Sequence, residues 1–178
     1  MTADVYARTA SNEGAPPASV AAPAAVDSPL ALLQAVLENP TGLAHVRRYA
    51  TDDFMYVSLN HENPELNRIM PWAGTPAGTE GLVQTFKDVF RFRSVVAFET
   101  QDRFENGDGA AIVGCVTYRS NVPGMTATSL HAILTRARGE KLAFAQFMED
   151  SFAPARSFRE SGTYRIRANP DDSSALDV

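Results

Sequence analysis

Residues 71–82 read PWAGTPAGTEGL, and no other stretch of the 178-residue chain brings a tryptophan, two prolines and three glycines so close together. Proline fixes its own φ and glycine admits left-handed backbone, so these residues encode a stiff, sharply turned loop around Trp72, the only tryptophan. The loop runs directly into VQTFKDVF. There Leu82, Phe86, Val89 and Phe90 recur at helical spacing, and Thr79 is placed to cap the helix. Gly74 and Gly78 are the loop positions expected to take conformations closed to other residues.

Upstream of the loop, Ser28-Pro29 is an N-cap followed by proline at the first helical position, and Leu30, Leu33 and Leu37 follow at helical spacing. Asn39-Pro40 ends that helix. Thr41 can cap a second, on which Leu43, Val46 and Ala50 share a face. FMYVSL then reads as a strand, broken by the polar NHENPELN, so residues 61–78 are expected to form one long loop. Downstream, residues 94–104, 110–120, 126–136 and 140–152 read as four strands. They are joined by NGDG, VPGM and ARGE, glycine-bearing turns that suit antiparallel hairpins. Three helices segregated from an antiparallel sheet predict an α+β domain over residues 28–158, with room for a small-molecule pocket between helices and sheet.

The ends of the chain read differently. Residues 1–27 carry Ala, Val and Pro with almost nothing large to bury, which predicts a disordered tail, and residues 159–178 read as a partly disordered extension. The tail lacks the basic start and apolar run of a secretory signal, no stretch is long and apolar enough to span a membrane, and the single Cys115 has no internal partner. A cytoplasmic location is expected. A net charge of −5 opposes nucleic-acid binding, and the arginines at 159, 165 and 167 read as a solvated chain end.

The element order and the loop together resemble the nuclear transport factor 2 superfamily. PWAGTPAGTEG is similar to the P-W-x-G-x-x-x-G-x-E-G signature of its SnoaL-like, ketosteroid-isomerase-related members, where it leads into the third helix as Glu80-Gly81-Leu82 does here. The resemblance implies a cone-like curved sheet covered by three helices, a pocket on the covered face, Trp72 near its mouth, and a homodimer formed through the outer face. It identifies a fold and not a reaction. A buried Trp72 that ties loop to helix is the plainer reading of the motif.

Laid beside the limonene-epoxide hydrolases, the resemblance puts Tyr56, Ser58, Cys115, Thr117, Arg119, Ser129, His131, Ile133, Phe147 and Glu149 in the pocket. It puts Ile112, Val116, Tyr118, Leu130, Leu134, Phe144 and Met148 on the outer face. Only the tyrosine of the hydrolase set persists, as Tyr56. Ser58 stands for its Asn, Cys115 for its Arg, and Thr117 and Phe147 for its two Asp residues, so that mechanism has no proton route here. The ketosteroid-isomerase acids would fall near Ser58 and Leu130, and neither is an acid.

What remains is His131, Glu149 and Tyr56 as candidate catalytic groups, with Trp72, Ser58, Cys115, Thr117, Arg119 and Phe147 as substrate contacts. A histidine can take and return a proton near neutral pH, a carboxylate in an apolar pocket can act as base, and Tyr56 or Arg119 can stabilise an enolate. A half-buried histidine bonded to a neighbour and a rim salt bridge at Glu149 are the bland alternatives. A three-residue turn at Arg138-Gly139 would set His131 opposite Ala145, two pairs from Glu149. Cys115 reads as an inert buried thiol. His45, His61 and Glu62 lack metal-ligand spacing, and no metal or cofactor is called for. The expected function is binding of a small apolar organic molecule with proton-transfer chemistry on it, as a cofactor-independent isomerase, cyclase or lyase. The alternative is a non-catalytic binding or assembly module of the same fold.

Overall fold

The computed structural model describes residues 28–59, 63–166 and 176–177, so the tail at 1–27, His61 and Glu62 lie outside the described residues. The helix α1 (Pro29–Glu38) opens the domain, with the Ser28 hydroxyl accepting from the Ala31 amide at 3.2 Å. It is followed by α2 (Leu43–Tyr49) and β1 (Ala50–Ser58). Gly42, not Thr41, holds the N-cap of α2.

The expected loop at 61–78 contains a short helix, α3 (Pro64–Ile69). Asn63 caps it by accepting from the amides of Glu65 and Leu66, and Pro64 occupies the first turn, the same start signal as Ser28-Pro29. Six residues are too few for a helical period to stand out from a polar background.

The glycine-rich loop is stitched to the end of β1 by a reciprocal pair of backbone bonds, Ser58 N to Gly74 O at 2.8 Å and Gly74 N to Ser58 O at 3.0 Å. Gly78 takes the expected left-handed conformation (φ 72°), whereas Gly74 does not. The second constrained position is Gly81, where a Cβ would lie 2.6 Å from the Cβ of Pro76. The loop delivers the chain into α4 (Gly78–Phe92), whose N-cap is Ala77; Thr79 lies inside the helix and donates to Glu80.

Then come β2 (Arg93–Asn106), β3 (Gly109–Ser120), β4 (Thr126–Arg138) and β5 (Lys141–Glu149), the expected meander. A short helix, α5 (Phe152–Arg156), and a minimal ribbon of β6 (Arg165–Ile166) with β7 (Leu176–Asp177) follow.

The main sheet has the order β1-β5-β4-β3-β2. It is mixed rather than wholly antiparallel, because β1 runs parallel to β5. The chain leaves β1 through α3 and α4, builds the meander from the far edge, and returns to β1 only with β5, a long crossover of the kind parallel pairing requires. Bulges between Val95 and Ala97 and between Thr100 and Asp102 bend β2, helping the sheet to curl around its contents. Leu32, Leu33 and Val36 of α1 and Leu82 and Val83 of α4 pack on Tyr56, Ile112, Ile133 and Ala145 of the sheet. A second apolar cluster joins Leu66, Met70 and Trp72 to Val89, Phe92 and Phe158.

Candidate functional site

Strand register decides which side chains reach the space between helices and sheet. Tyr56 and Ser58 of β1, Ser129, His131 and Ile133 of β4, and Phe147 and Glu149 of β5 face the helices as expected. β3 does not follow the expectation. Ile112 pairs with Ile133 and Val116 with Ser129, so the residues at 112, 114, 116 and 118 face inward and their odd-numbered neighbours outward. Ile112, Val116 and Tyr118 are buried.

Cys115, Thr117 and Arg119 are therefore on the outer face and do not line the pocket. Cys115 accepts from Gln101, Thr117 bonds Thr128 across the strands at 2.9 Å, and Arg119 is exposed. A slip of one residue exchanges every side chain between faces, which is the whole of the difference.

A cleft of about 510 Å³ opens between the α1–α2 connection, α4 and the sheet. Its floor and walls are mostly apolar: Leu37, Phe86, Val89, Phe98, Ile133 and Phe147. Phe86, Val89, Tyr118 and Phe147 also bound a smaller, deeper chamber of about 30 Å³ that reaches Tyr56, Ser58, Trp72 and Arg93. Trp72 thus stands at the deep end, 4% exposed, and not at the mouth. It packs on Phe92 (5.6 Å between centroids) and Phe158 (6.0 Å), which agrees with the architectural reading of the motif.

Arg93, the residue that follows α4, is the group that sequence reasoning missed. Only 2% of it is exposed. Its guanidinium lies between the rings of Tyr118 (4.0 Å to centroid) and Trp72 (4.8 Å), and its terminal nitrogens donate to Glu149 Oε1 at 3.3 and 3.4 Å. Glu149 is accordingly no rim residue: its side chain is fully buried and carries a buried ion pair. A desolvated cation over an aromatic face contributes on the order of 2 kcal/mol, and two such faces help explain how Arg93 is accommodated inside. The sequence signal was faint, since Arg93 sits in RFRS near Arg91, where a charge at a helix end reads as solvated.

His131 lies directly opposite Glu149 in the β4–β5 pair, not two pairs away. The turn is tighter than expected, with Arg138 paired to Lys141, and an irregularity between Arg136 and Ala137 resets the register. The imidazole is stacked between Phe98 (4.4 Å) and Phe147 (5.8 Å), and among the described residues neither ring nitrogen has a hydrogen-bond partner. It needs the absent side chain at Gly114, where a Cβ would come 3.1 Å from His131 Cε1 and 1.9 Å from the Glu99 carbonyl oxygen.

The electrostatics follow from burial. Desolvation lowers the His131 pKa below 6.5, which favours neutral imidazole. Burial pushes the Glu149 carboxyl above its ordinary 4.5, while Arg93 pulls the other way. Burial raises the Tyr56 and Tyr118 hydroxyls well above 10, so both remain protonated at neutral pH. Tyr56, Tyr118 and Arg93 border the chamber directly, whereas His131 and Glu149 lie behind Phe98, Phe147 and Arg93 and border instead a shallower hollow of about 410 Å³ with Gln101, Leu130 and Met148. Among the described residues, no three His, Cys, Asp or Glu side chains gather as a metal site would require, and no helix is long and apolar enough to cross a membrane.

No family model matches the sequence. The chain superposes on an NTF2-like protein from Burkholderia xenovorans LB400 with a TM-score of 0.62 at 16% identity, covering 73% of this chain and 95% of that one. It also superposes on TerC co-crystallised with polyporic acid, with a TM-score of 0.56 at 16% identity over 72% of this chain and 96% of that one. The fold is that of the nuclear transport factor 2-like superfamily. In sequence the chain is 31% identical over 134 residues to patulin biosynthesis cluster protein F of Penicillium expansum, covering 73% of this chain and 67% of that protein. It is 33% identical over 116 residues to patulin synthesis protein F of Aspergillus clavatus, covering 64% of this chain and 59% of that protein. The chain belongs to the family of patulin biosynthesis cluster protein F.

Proposed function

We propose that the chain binds a small, largely apolar organic molecule in the cleft under its helices and moves a proton on it, within the biosynthesis of a small metabolite. The observation that carries this reading is His131: a buried imidazole with both nitrogens unpartnered among the described residues, set one layer behind the cleft between two rings, Phe98 and Phe147, that line it, so that a shift of either ring would bring it to a ligand. A buried histidine that served packing alone would be expected to satisfy its nitrogens. In this reading neutral His131 takes a proton from carbon or oxygen of the ligand and returns it elsewhere. Tyr56 donates to developing negative charge, and Glu149, neutralised by Arg93, sets the field around the imidazole. Ser58, Trp72 and Phe147 contact the ligand. Isomerisation, cyclisation and dehydration all fit such a proton shuttle, and none of them needs a cofactor. The relatives named for a biosynthesis cluster support a place in such a pathway.

A non-catalytic binding module is the second reading, favoured by the engagement of Glu149 with Arg93, which leaves fewer free acid–base groups. A screen of terpenoid, steroid-like and polyketide compounds tests the shared part, with Trp72 as the only tryptophan reporting on the deep end of the pocket. A saturable fluorescence change is the expected result. A screen in which no apolar compound quenches or shifts Trp72 would remove the support for a ligand pocket.

Dimerisation through the outer face belongs to the same proposal. Leu130 (59% exposed), Met148 (39%) and Phe104 (56%) leave apolar surface on that side. Ile112, Val116 and Tyr118, expected there, point inward instead and contribute nothing to it. Sedimentation at micromolar concentration is expected to give a dimer, and a monomer would overturn this part.

A further inference from the structure

The deep chamber carries chemistry that neither proton transfer at His131 nor apolar packing uses. Two of the residues that line it, Trp72 and Arg93, each bring a buried N–H with no partner among the described residues: indole Nε1 and guanidinium Nε. Both groups can only donate. Leaving a donor unpaired in a buried site costs about 1–3 kcal/mol, so two together in one small chamber call for an acceptor.

The chamber's volume of about 30 Å³ limits that acceptor, since one water-sized atom needs roughly 10–15 Å³. That is room for about two or three such atoms, so a carbonyl group fits and a phosphate does not, and a carboxylate would find the Arg93 charge already met by Glu149. Because Phe86, Val89, Tyr118 and Phe147 bound both the chamber and the cleft of about 510 Å³, one ligand can span the two.

We infer that the deep chamber seats a single acceptor oxygen of the ligand, a ring-ketone oxygen, on Trp72 Nε1 and Arg93 Nε, while the ligand's apolar ring lies in the cleft. This rests on the proposal that the cleft binds a small organic molecule. The buried ion pair then has a second use. Glu149 engages the terminal nitrogens of Arg93 and so holds the guanidinium in place with its Nε free.

The test compares 2-tetralone with tetralin, two bicyclic probes of the same ring skeleton that differ in one carbonyl in place of a methylene, by ligand-observed NMR titration. Wild-type protein is expected to bind 2-tetralone at least ~10-fold more tightly, the scale of one good hydrogen bond to a buried donor. Trp72→Phe is expected to bring the two affinities within about threefold by removing an N–H while keeping a ring. As a second measurement, the carbonyl stretch of 13C-labelled 2-tetralone should move to lower frequency when bound to wild-type protein. If Trp72→Phe does not fold, the infrared shift decides alone. Equal affinities in the wild type, a preference that survives in folded Trp72→Phe, or an unshifted carbonyl would overturn the oxygen seat and leave the pocket standing. Failure of both probes to bind would overturn the seat together with the ligand-binding proposal.

Discussion

His131→Gln is expected to lower turnover of a substrate by ~10²–10⁴-fold while leaving its affinity nearly unchanged, the range for removing a positioned acid–base group. Glutamine approximates the size and hydrogen-bonding capacity of imidazole and does not titrate, so packing between Phe98 and Phe147 is largely kept and the proton carrier is lost. Stability gives an independent readout. The His131 pKa is lowered by burial, so folding favours the neutral ring. The stability associated with neutral His131 is fully present above the unfolded value near 6.5 and is lost as pH falls through the lower folded value. Wild-type protein should therefore lose stability below about pH 6.5 relative to His131→Gln, measured by urea unfolding at several pH values. Full turnover in the variant would show that the proton moves elsewhere, and matching pH profiles would show that the ring is not desolvated.

The sequence made the helices that frame the site legible because local physics decides them. Ser28-Pro29 starts α1, the spacing of Leu82, Phe86 and Val89 marks α4, and glycine-bearing turns divide the meander. The outcome for side-chain direction was mixed, because alternation separates two faces without saying which is covered. On β3, Ile112, Val116 and Tyr118 alternate with Val113, Cys115 and Thr117, and both sets are apolar enough to be buried. Comparing the volumes of the two sets would have favoured Tyr118 and Ile112 inside; the resemblance to the epoxide hydrolases favoured the smaller set. The juxtaposition of His131 with Glu149 depends on an irregularity near Arg136, and the inward direction of Phe98, opposite Val116, depends on the bulge between Thr100 and Asp102. Such irregularities leave little trace in one sequence, yet they fix which residues meet. His131, Glu149 and Tyr56 could be nominated because each lies on a strand whose parity was read correctly. Arg93 could not, because a charge next to a helix end ordinarily reads as solvated.

Arg93→Met is expected to destabilise the domain by ~3–5 kcal/mol near neutral pH, the cost of breaking a buried pair and stranding its partner. Against a typical total of about 5–15 kcal/mol this is a large share, and urea or thermal unfolding would register it directly. The loss has a predictable pH dependence. Burial raises the Glu149 pKa above 4.5 and Arg93 opposes the rise, so removing Arg93 should raise it further. For a raised acid, the stability contribution is fully present below the unfolded value and is lost as pH rises through the folded one. The Arg93→Met deficit should therefore shrink as pH falls toward 4.5, where Glu149 takes up a proton and no longer needs a cation. Replacing both members, as in Arg93→Met with Glu149→Leu, removes the stranded charge and should recover most of the stability, because a buried pair contributes little net against apolar side chains of similar size. It should not recover the preference for a ketone over a hydrocarbon, since the Arg93 donor is gone. A single Arg93→Met variant as stable as wild type at neutral pH would mean that Glu149 finds water or another partner, and that the ion pair does not organise the deep end of the pocket.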